Sequence, residues 1–244
     1  MRYAIIADIH SNLEALETVL DDIEKKGGFD ELWCLGDIVG YGPDPCECIA
    51  LLSKYNHLSV AGNHDWAAIG KMDTDDFNPS AAAACQWTTM QLGDTEKEYL
   101  NNLPQILEKE DFTLVHGSPR EPIWEYLVSA SSAWQNLSVL RTKYCLTGHS
   151  HQAMVFEFDD MGYCTSHVFT DNAVLQLKSN SIFINPGSVG QPRDLDPRAS
   201  YAIYDTEKQQ VINHRVTYDI HTTQEKMKAH GLPVRLISRL SYGM

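Results

Sequence analysis

Basic side chains are scarce in this chain. Lys and Arg together number 19 against 33 Asp and Glu, for a formal net charge of -14. Unaided binding to long nucleic acid depends on Lys and Arg displacing counterions, so that function class is disfavoured. Small phosphate compounds stay open, because bound divalent cations reverse the local sign of charge. Long apolar runs are also missing, and no stretch approaches a membrane span. The opening residues, MRYAIIADIHSN, hold a short apolar stretch and then an acid, unlike a secretory signal. The six Cys show neither a disulfide framework nor a zinc-ribbon spacing. Cys46 and Cys48 make only C-x-C, and Cys34 lies within an apolar run. Free, mostly buried thiols in a cytoplasmic protein are expected. Internal repeats, low-complexity segments and clear linkers are absent too.

What is present is enough apolar material for one core. The chain has 244 residues, 43% of them hydrophobic, which fits one domain spanning 1–244. Residues 3–7 form a short apolar run expected to be a buried strand. Leu13, Leu16, Val19, Leu20 and Ile23 then recur at helical spacing, with Ser11 or Asn12 as the cap and Gly27-Gly28 as the stop. Residues 32–35 predict a second strand, and Pro43 and Pro45 introduce a helix to about Lys54. Residues 57–61 predict a third strand. The order β-α-β-α-β implies a parallel sheet with right-handed crossovers.

Residues 66–103 break that rhythm and read as a helical insertion, with helices at 80–91 and 95–102, the second capped by Asp94. Strands are expected again at 112–115 and 144–147, with a helix at 131–140 between them. Runs at 154–158, 164–169, 174–177, 181–184, 201–205 and 211–216 read as successive strands of an antiparallel or mixed sheet, before a helical end from Ile220. Two packed sheets with helices outside account for this pattern.

Seven potential metal ligands fall just past five of these apolar runs: Asp8 and His10, Asp37, Asn63, His116, and His149 and His151. Strand ends gather along one edge of an open sheet, so these residues can converge. Residues i and i+2 of an extended segment point the same way, which would aim both members of Asp8/His10 and of His149/His151 at one site. Carboxylate, imidazole and amide oxygen together suit manganese, iron, zinc, nickel or cobalt. A lone His at a strand end is usually a packed or surface residue. Five of the ten His falling after apolar runs beside Asp and Asn reverse that reading, whereas His57, His167, His214, His221 and His230 lack such company.

The ordered set D-x-H (Asp8, His10), G-D (Gly36, Asp37), G-N-H-D (Gly62 to Asp65), V-H-G (His116) and G-H-x-H (Gly148 to His151) resembles the calcineurin-like metallophosphoesterase superfamily. The segments Gly40 to Pro45 and Asn185 to Arg193 are similar to its small bacterial and archaeal branch. The resemblance implies an α/β fold, a four-layer αββα sandwich with two central mixed β-sheets flanked by helices. It implies that Asp8, His10 and His151 hold one divalent ion, that Asn63, His116 and His149 hold a second, and that Asp37 bridges both. The implied activity is phosphoester hydrolysis, as a phosphodiesterase or phosphatase, by metal-activated water. His64 would stabilise the transferring phosphoryl group and protonate the leaving oxygen; the plainer alternative is that it only positions Asn63.

Arg193, in a Pro-Gly-rich loop, has a fork geometry suited to phosphate, with Arg198 and Arg120 as weaker candidates and salt-bridging as the alternative for each. Asn12 would bind phosphate beside the first helix or simply cap it. Tyr41 would line the pocket or merely pack, and Asp65 would orient His64 or cap the helix after it. A small phosphoester or nucleotide is the expected partner. Rival readings are a protein serine/threonine phosphatase and a non-catalytic, metal-binding interaction scaffold of the same fold.

Overall fold

The computed structural model describes all 244 residues. The first half runs β1 (Arg2–Ile6), α1 (Leu13–Lys25), β2 (Glu31–Cys34), α2 (Pro45–Leu52), β3 (His57–Ser59), α3 (Asn63–Ala68), α4 (Pro79–Gln91) and α5 (Asp94–Asn101). The second half runs β4 (Ile106–Lys109), β5 (Phe112–Val115), α6 (Ala130–Leu137), β6 (Tyr144–Leu146), β7 (Ala153–Phe158) and β8 (Cys164–Val168). It continues through β9 (Val174–Gln176), β10 (Ile182–Pro186), β11 (Ala199–Asp205), β12 (Gln210–Val216), α7 (Ile220–Ala229) and α8 (Val234–Arg239). No helix is long and apolar enough to cross a membrane.

The strands form two six-stranded mixed sheets, ordered β3-β2-β1-β11-β12-β9 and β4-β5-β6-β10-β7-β8. In the first, β1, β2 and β3 are parallel and β11 closes antiparallel on β1. In the second, β5, β6 and β10 are parallel, with β4 and β7 antiparallel at their flanks. Strand side chains alternate between two faces, and here both faces are apolar. Tyr3, Ile5 and Ala7 join the core between the sheets, whereas Ala4 and Ile6 join the core under α1 and α2. The helical stripe Leu16, Val19, Leu20 and Ile23 closes that outer core. On the far side, Cys145, Phe156 and Phe183 are covered by Leu127 and by Ala133 of α6. The layers are therefore helix, sheet, sheet, helix, the expected sandwich.

An aromatic seam joins the two sheets. Trp33 is fully buried and stacks on Tyr3 at 4.2 Å, meets Phe112 of the other sheet at 5.6 Å, and donates Nε1–H to Glu31 at 3.0 Å. Trp33→Ala removes this side chain from both sheets at once and leaves the Glu31 carboxylate with only Lys109, at 3.6 Å. Denaturant unfolding should show a loss of about 3–5 kcal/mol, the range for large aromatic truncations; a loss below ~1 kcal/mol would mean that the seam does not hold the sheets together.

Some local expectations need correcting. The cap of α5 is Gly93, not Asp94; Asp94 is the first helical residue, and Glu96 accepts from the Gly93 N–H at 3.1 Å. Strand β4 was not foreseen, since its residues are half-exposed and form only the outer arm of a hairpin with β5. Helix α3 begins at Asn63 itself, so Asp65 sits inside its first turn and accepts from the Gly62 N–H there instead of preceding the helix.

Candidate metal centre

The parallel strands of both sheets end on one edge of the sandwich, where ligands to a crevice commonly gather. Asp8 follows β1, Asp37 follows β2, Asn63 follows β3, His116 follows β5, and His149 follows β6. Backbone bonds lace these loops together: Asp8 N–H donates to Gly36 O at 3.0 Å, His10 N–H to Asp37 O at 3.0 Å, and Gly148 N–H to His116 O at 2.9 Å.

The local backbone is not extended, as the i, i+2 reasoning required. Asp8, His10, Asp37, His149 and His151 all take left-handed conformations, with φ of 54°, 50°, 52°, 64° and 58°. Side chains in this region are strained by ~1–3 kcal/mol per residue. The paired ligands converge through these kinks and not through strand alternation. Two glycines make room for the crowding. A Cβ on Gly62 would lie 2.0 Å from Asp37 Oδ1, and one on Gly40, at φ +90°, would lie 2.6 Å from His64 Nδ1.

Each of the four histidines is anchored through one ring nitrogen to a backbone carbonyl. His10 Nδ1 meets Val39 O at 3.1 Å, His116 Nδ1 meets Leu35 O at 2.8 Å, and His151 Nδ1 meets Gln191 O at 2.6 Å. His149 uses Nε2, on Trp124 O at 3.1 Å. The anchored nitrogen must carry the proton, so the other turns a lone pair inward. His10 Nε2 and His151 Nε2 then face each other at 3.1 Å. Burial holds both rings well below the usual histidine range, so neither supplies a proton between them. Two buried lone pairs in contact call for a cation.

The donors fall into two groups. Asp8, His10, Asp37 and His151 bring one ligand atom each within 4.8 Å of one another, and so do Asp37, His116 and His149. Asn63 Oδ1 joins the second group at 3.1 Å from His116 Nε2. Asp37 belongs to both, with Oδ2 at 3.6 Å from His10 Nε2 and 3.3 Å from His116 Nε2. Asp8 Oδ2 and Asp37 Oδ2 are buried without a hydrogen-bond partner. Unpartnered carboxylate oxygens beside inward imidazole lone pairs fit a divalent cation at each group.

The charges agree. Burial, reinforced by the Asp37 charge, pushes the Asp8 carboxyl up to about 7 against the opposing pull of His116 and Arg193. Burial also works against ionised Asp37, but His116, His64 and His10 around it outweigh this and hold its carboxyl well below the usual range. For His116, burial is outweighed by Asp37, and the ring is raised to about 9. Cation binding would therefore displace a proton from the His116–Asp37 pair.

His64 lies beside the centre. Its N–H donates to Asp37 Oδ1 at 2.8 Å, and its ring packs 5.0 Å from His10, 4.3 Å from Tyr41 and 4.7 Å from Phe77. Nδ1 is buried and unpartnered, and burial lowers the ring to about 4. Asp65 makes no bond to His64. Its two oxygens accept from Gly62 N–H at 3.0 Å and Val39 N–H at 3.1 Å, tying two site loops together.

Arg193 is half-buried, donates Nη2–H to Gln191 Oε1 at 2.8 Å, and lies 5.6 Å over the Tyr41 ring. It has no carboxylate partner, and its Nε is unpartnered. Arg120 and Arg198 are instead spent on ion pairs, with Glu125 and with Asp171 and Asp196. Of the two roles open to Asn12, the helix cap is the one the bonds form. Its Oδ1 caps α1 through Ala15 N–H at 3.2 Å and accepts from Thr223 Oγ1 at 3.1 Å, and its Nδ2 donates to Gly190 O at 2.9 Å. Those bonds leave no free face.

Above the centre opens a cleft of about 150 Å³, lined by Asp37, Asn63, His64, His149, His151 and Arg193 below, and by Tyr41, Phe77, Trp124 and Tyr126 at its walls. Phe77, Trp124 and Tyr126 were not anticipated. They sit in aperiodic loops, and the only signal was aromatic residues in the loops beside candidate ligands. Phe77 belongs to the 66–103 stretch, which thereby reaches the cleft.

Comparison with known proteins accords with this geometry. A metallophosphoesterase from Sphaerobacter thermophilus is 48% identical and superposes with a TM-score of 0.91, covering 100% of this chain and 99% of that one. An uncharacterized protein of Methanocaldococcus jannaschii is 38% identical, over 98% of this chain and 97% of its own length. Serine/threonine-protein phosphatase 2 of Escherichia coli is 27% identical, over 78% of this chain and 88% of its own. The profile of the calcineurin-like phosphoesterase superfamily domain matches residues 1–209, and with a match of that extent the chain belongs to that superfamily.

Proposed function

We propose that this protein hydrolyses a small phosphoester with the help of two divalent cations. One observation carries the reading: two His/Asp groups share Asp37, and Asp37, His149 and His151 from them line a cleft that also holds His64 and Arg193. Asp8, His10, His151 and Asp37 would hold one cation; Asn63, His116, His149 and Asp37 would hold the other. Manganese, iron, zinc, nickel and cobalt all suit this nitrogen and oxygen set. When bound, such a pair supplies charge to offset the phosphoryl oxygens and lowers the pKa of a water that attacks phosphorus.

The chain's own groups do the rest. The four carbonyl-anchored imidazoles keep their lone pairs aimed without reorganisation. Arg193, free of any carboxylate, offers its guanidinium to a non-bridging phosphoryl oxygen. His64 is placed by its backbone bond to Asp37 to donate a ring N–H to the phosphoryl group or the leaving oxygen. The name of the Escherichia coli relative raises phosphoserine and phosphothreonine esters of proteins as the rival substrates. The aromatic walls at Phe77, Trp124 and Tyr126 support a small ester instead. Complete ligand groups weigh against a non-catalytic scaffold, and the net charge of -14 weighs against long nucleic acid.

The test is a panel of mono- and diesters and a phosphopeptide, run with each of several divalent ions. Small esters should turn over, the phosphopeptide at least ~10-fold more slowly, and chelation should lower rates by at least ~100-fold, since each cation is worth several kcal/mol of charge stabilisation. Fully metal-loaded protein that turns over nothing on the panel would overturn the reading.

A further inference from the structure

Two aromatic rings at the mouth of the cleft are exposed without a structural reason. Trp124 is 36% exposed and Tyr126 46%. The loop that carries them is firmly built. Glu125, between them, accepts from Ser118 Oγ at 2.5 Å and Asn136 Nδ2 at 2.9 Å, and pairs with Arg120. Trp124 O anchors His149, and the Tyr126 ring stacks on the His149 ring at 3.8 Å and 15°. The Trp124 ring stacks with Phe77 at 5.6 Å and 20°, and Phe77 in turn meets His64 at 4.7 Å. An aromatic wall thus rises from the reacting centre to solvent, held in place from behind and bare in front.

Rigid, bare aromatic faces beside a polar, charged floor suit a ligand with a planar ring at one end and a phosphoryl group at the other. The rim adds hydrogen-bonding edges. Asn78 uses its Oδ1 to cap α4, accepting from Ser80 N–H at 3.1 Å and Ala81 N–H at 3.0 Å, which leaves its NH₂ to donate. Asp76 is exposed at the same rim and accepts from amino groups. We infer that Trp124, Tyr126 and Phe77 form a subsite for the base of a nucleoside phosphoester. This rests on the proposed hydrolase reading for the reaction, while the ring subsite is a matter of binding alone.

Adenosine monophosphate and ribose 5-phosphate share sugar and phosphate and differ by the base. Binding of both to the metal-loaded chain is measured by equilibrium dialysis, and kcat/KM by phosphate release, or by release of methanol and of the nucleoside or ribose for the corresponding methyl diesters. The parent should prefer the adenosine compound by at least ~10-fold. Trp124→Ala and Tyr126→Ala should each cut that preference, by roughly 5- to 150-fold where stacking is fully lost. Trp124→Phe and Tyr126→Phe should keep most of it. Equal treatment of the two compounds by the parent, or equal weakening of both by the alanine variants, overturns the subsite. A parent that binds the adenosine compound preferentially yet hydrolyses neither leaves the subsite standing and removes the hydrolase reading.

Discussion

Asp37→Asn should lower phosphoester turnover by at least ~10³-fold and cut the metal content from about two ions per chain to one or fewer. The substitution is nearly isosteric. It keeps an oxygen to accept the His64 N–H and removes only the charge that both ligand groups share. A unit charge pair ~4 Å apart is worth ~4 kcal/mol at an effective dielectric of 20, which is ~10³-fold in affinity. Asp37 is 1% exposed, so solvent does little to screen that loss. Metal content is read by elemental analysis after desalting, with circular dichroism to verify folding. Parent-like metal content and turnover would remove Asp37 from its bridging place.

His64 should behave differently. It belongs to neither ligand group, so His64→Ala is expected to keep its metal while kcat falls by ~10²–10⁴-fold, the usual worth of a positioned acid or base. The leaving group separates the two roles open to it. A nitrophenolate departs without a proton, so if His64 protonates the leaving oxygen, an alkyl ester should suffer a far larger loss than a nitrophenyl ester. Equal losses on both would assign the ring to the phosphoryl oxygens. Metal lost together with activity would reduce His64 to a support for Asn63, and neither catalytic role would stand.

How much of this could be read from the residues differs between levels. The strands of the core were legible because they are short apolar runs between glycines and turn residues. The assignment of β1 residues to two different cores was not, since Tyr3, Ala4, Ile5 and Ile6 are all apolar and no pattern separates the faces. Polar, half-exposed β4 carried no strand signal, and six-residue α3 was too short to show a period. At the site, ligand identity was visible as chemistry placed after strands. The mode of convergence was not, because φ at Asp8 or His151 is set by the packing of loops from both sheets and leaves no local trace beyond neighbouring glycines. Asn12 read equally as a cap or an anion contact because both use the same residue at the same place; Thr223 and Gly190, whose bonds accompany the cap, are some 200 residues away. Trp124 and Tyr126 escaped notice for a related reason. An aromatic loop residue looks the same whether it packs inward or lines a cleft.

The left-handed backbone at Asp8, His10, Asp37, His149 and His151 has a further consequence for how such a protein changes over time. Glycine alone adopts that backbone without steric penalty. At these five positions the residue easiest for the backbone and the residue needed for binding a cation are different. Laboratory selection for heat resistance alone would sample glycine there, relieving the backbone while losing the packing of a buried side chain. The sandwich could then persist as its centre was dismantled. A thermostabilisation campaign on this scaffold should therefore hold those five codons fixed, and a relative with glycine at any of them would be a candidate for a protein that kept the architecture and gave up the chemistry.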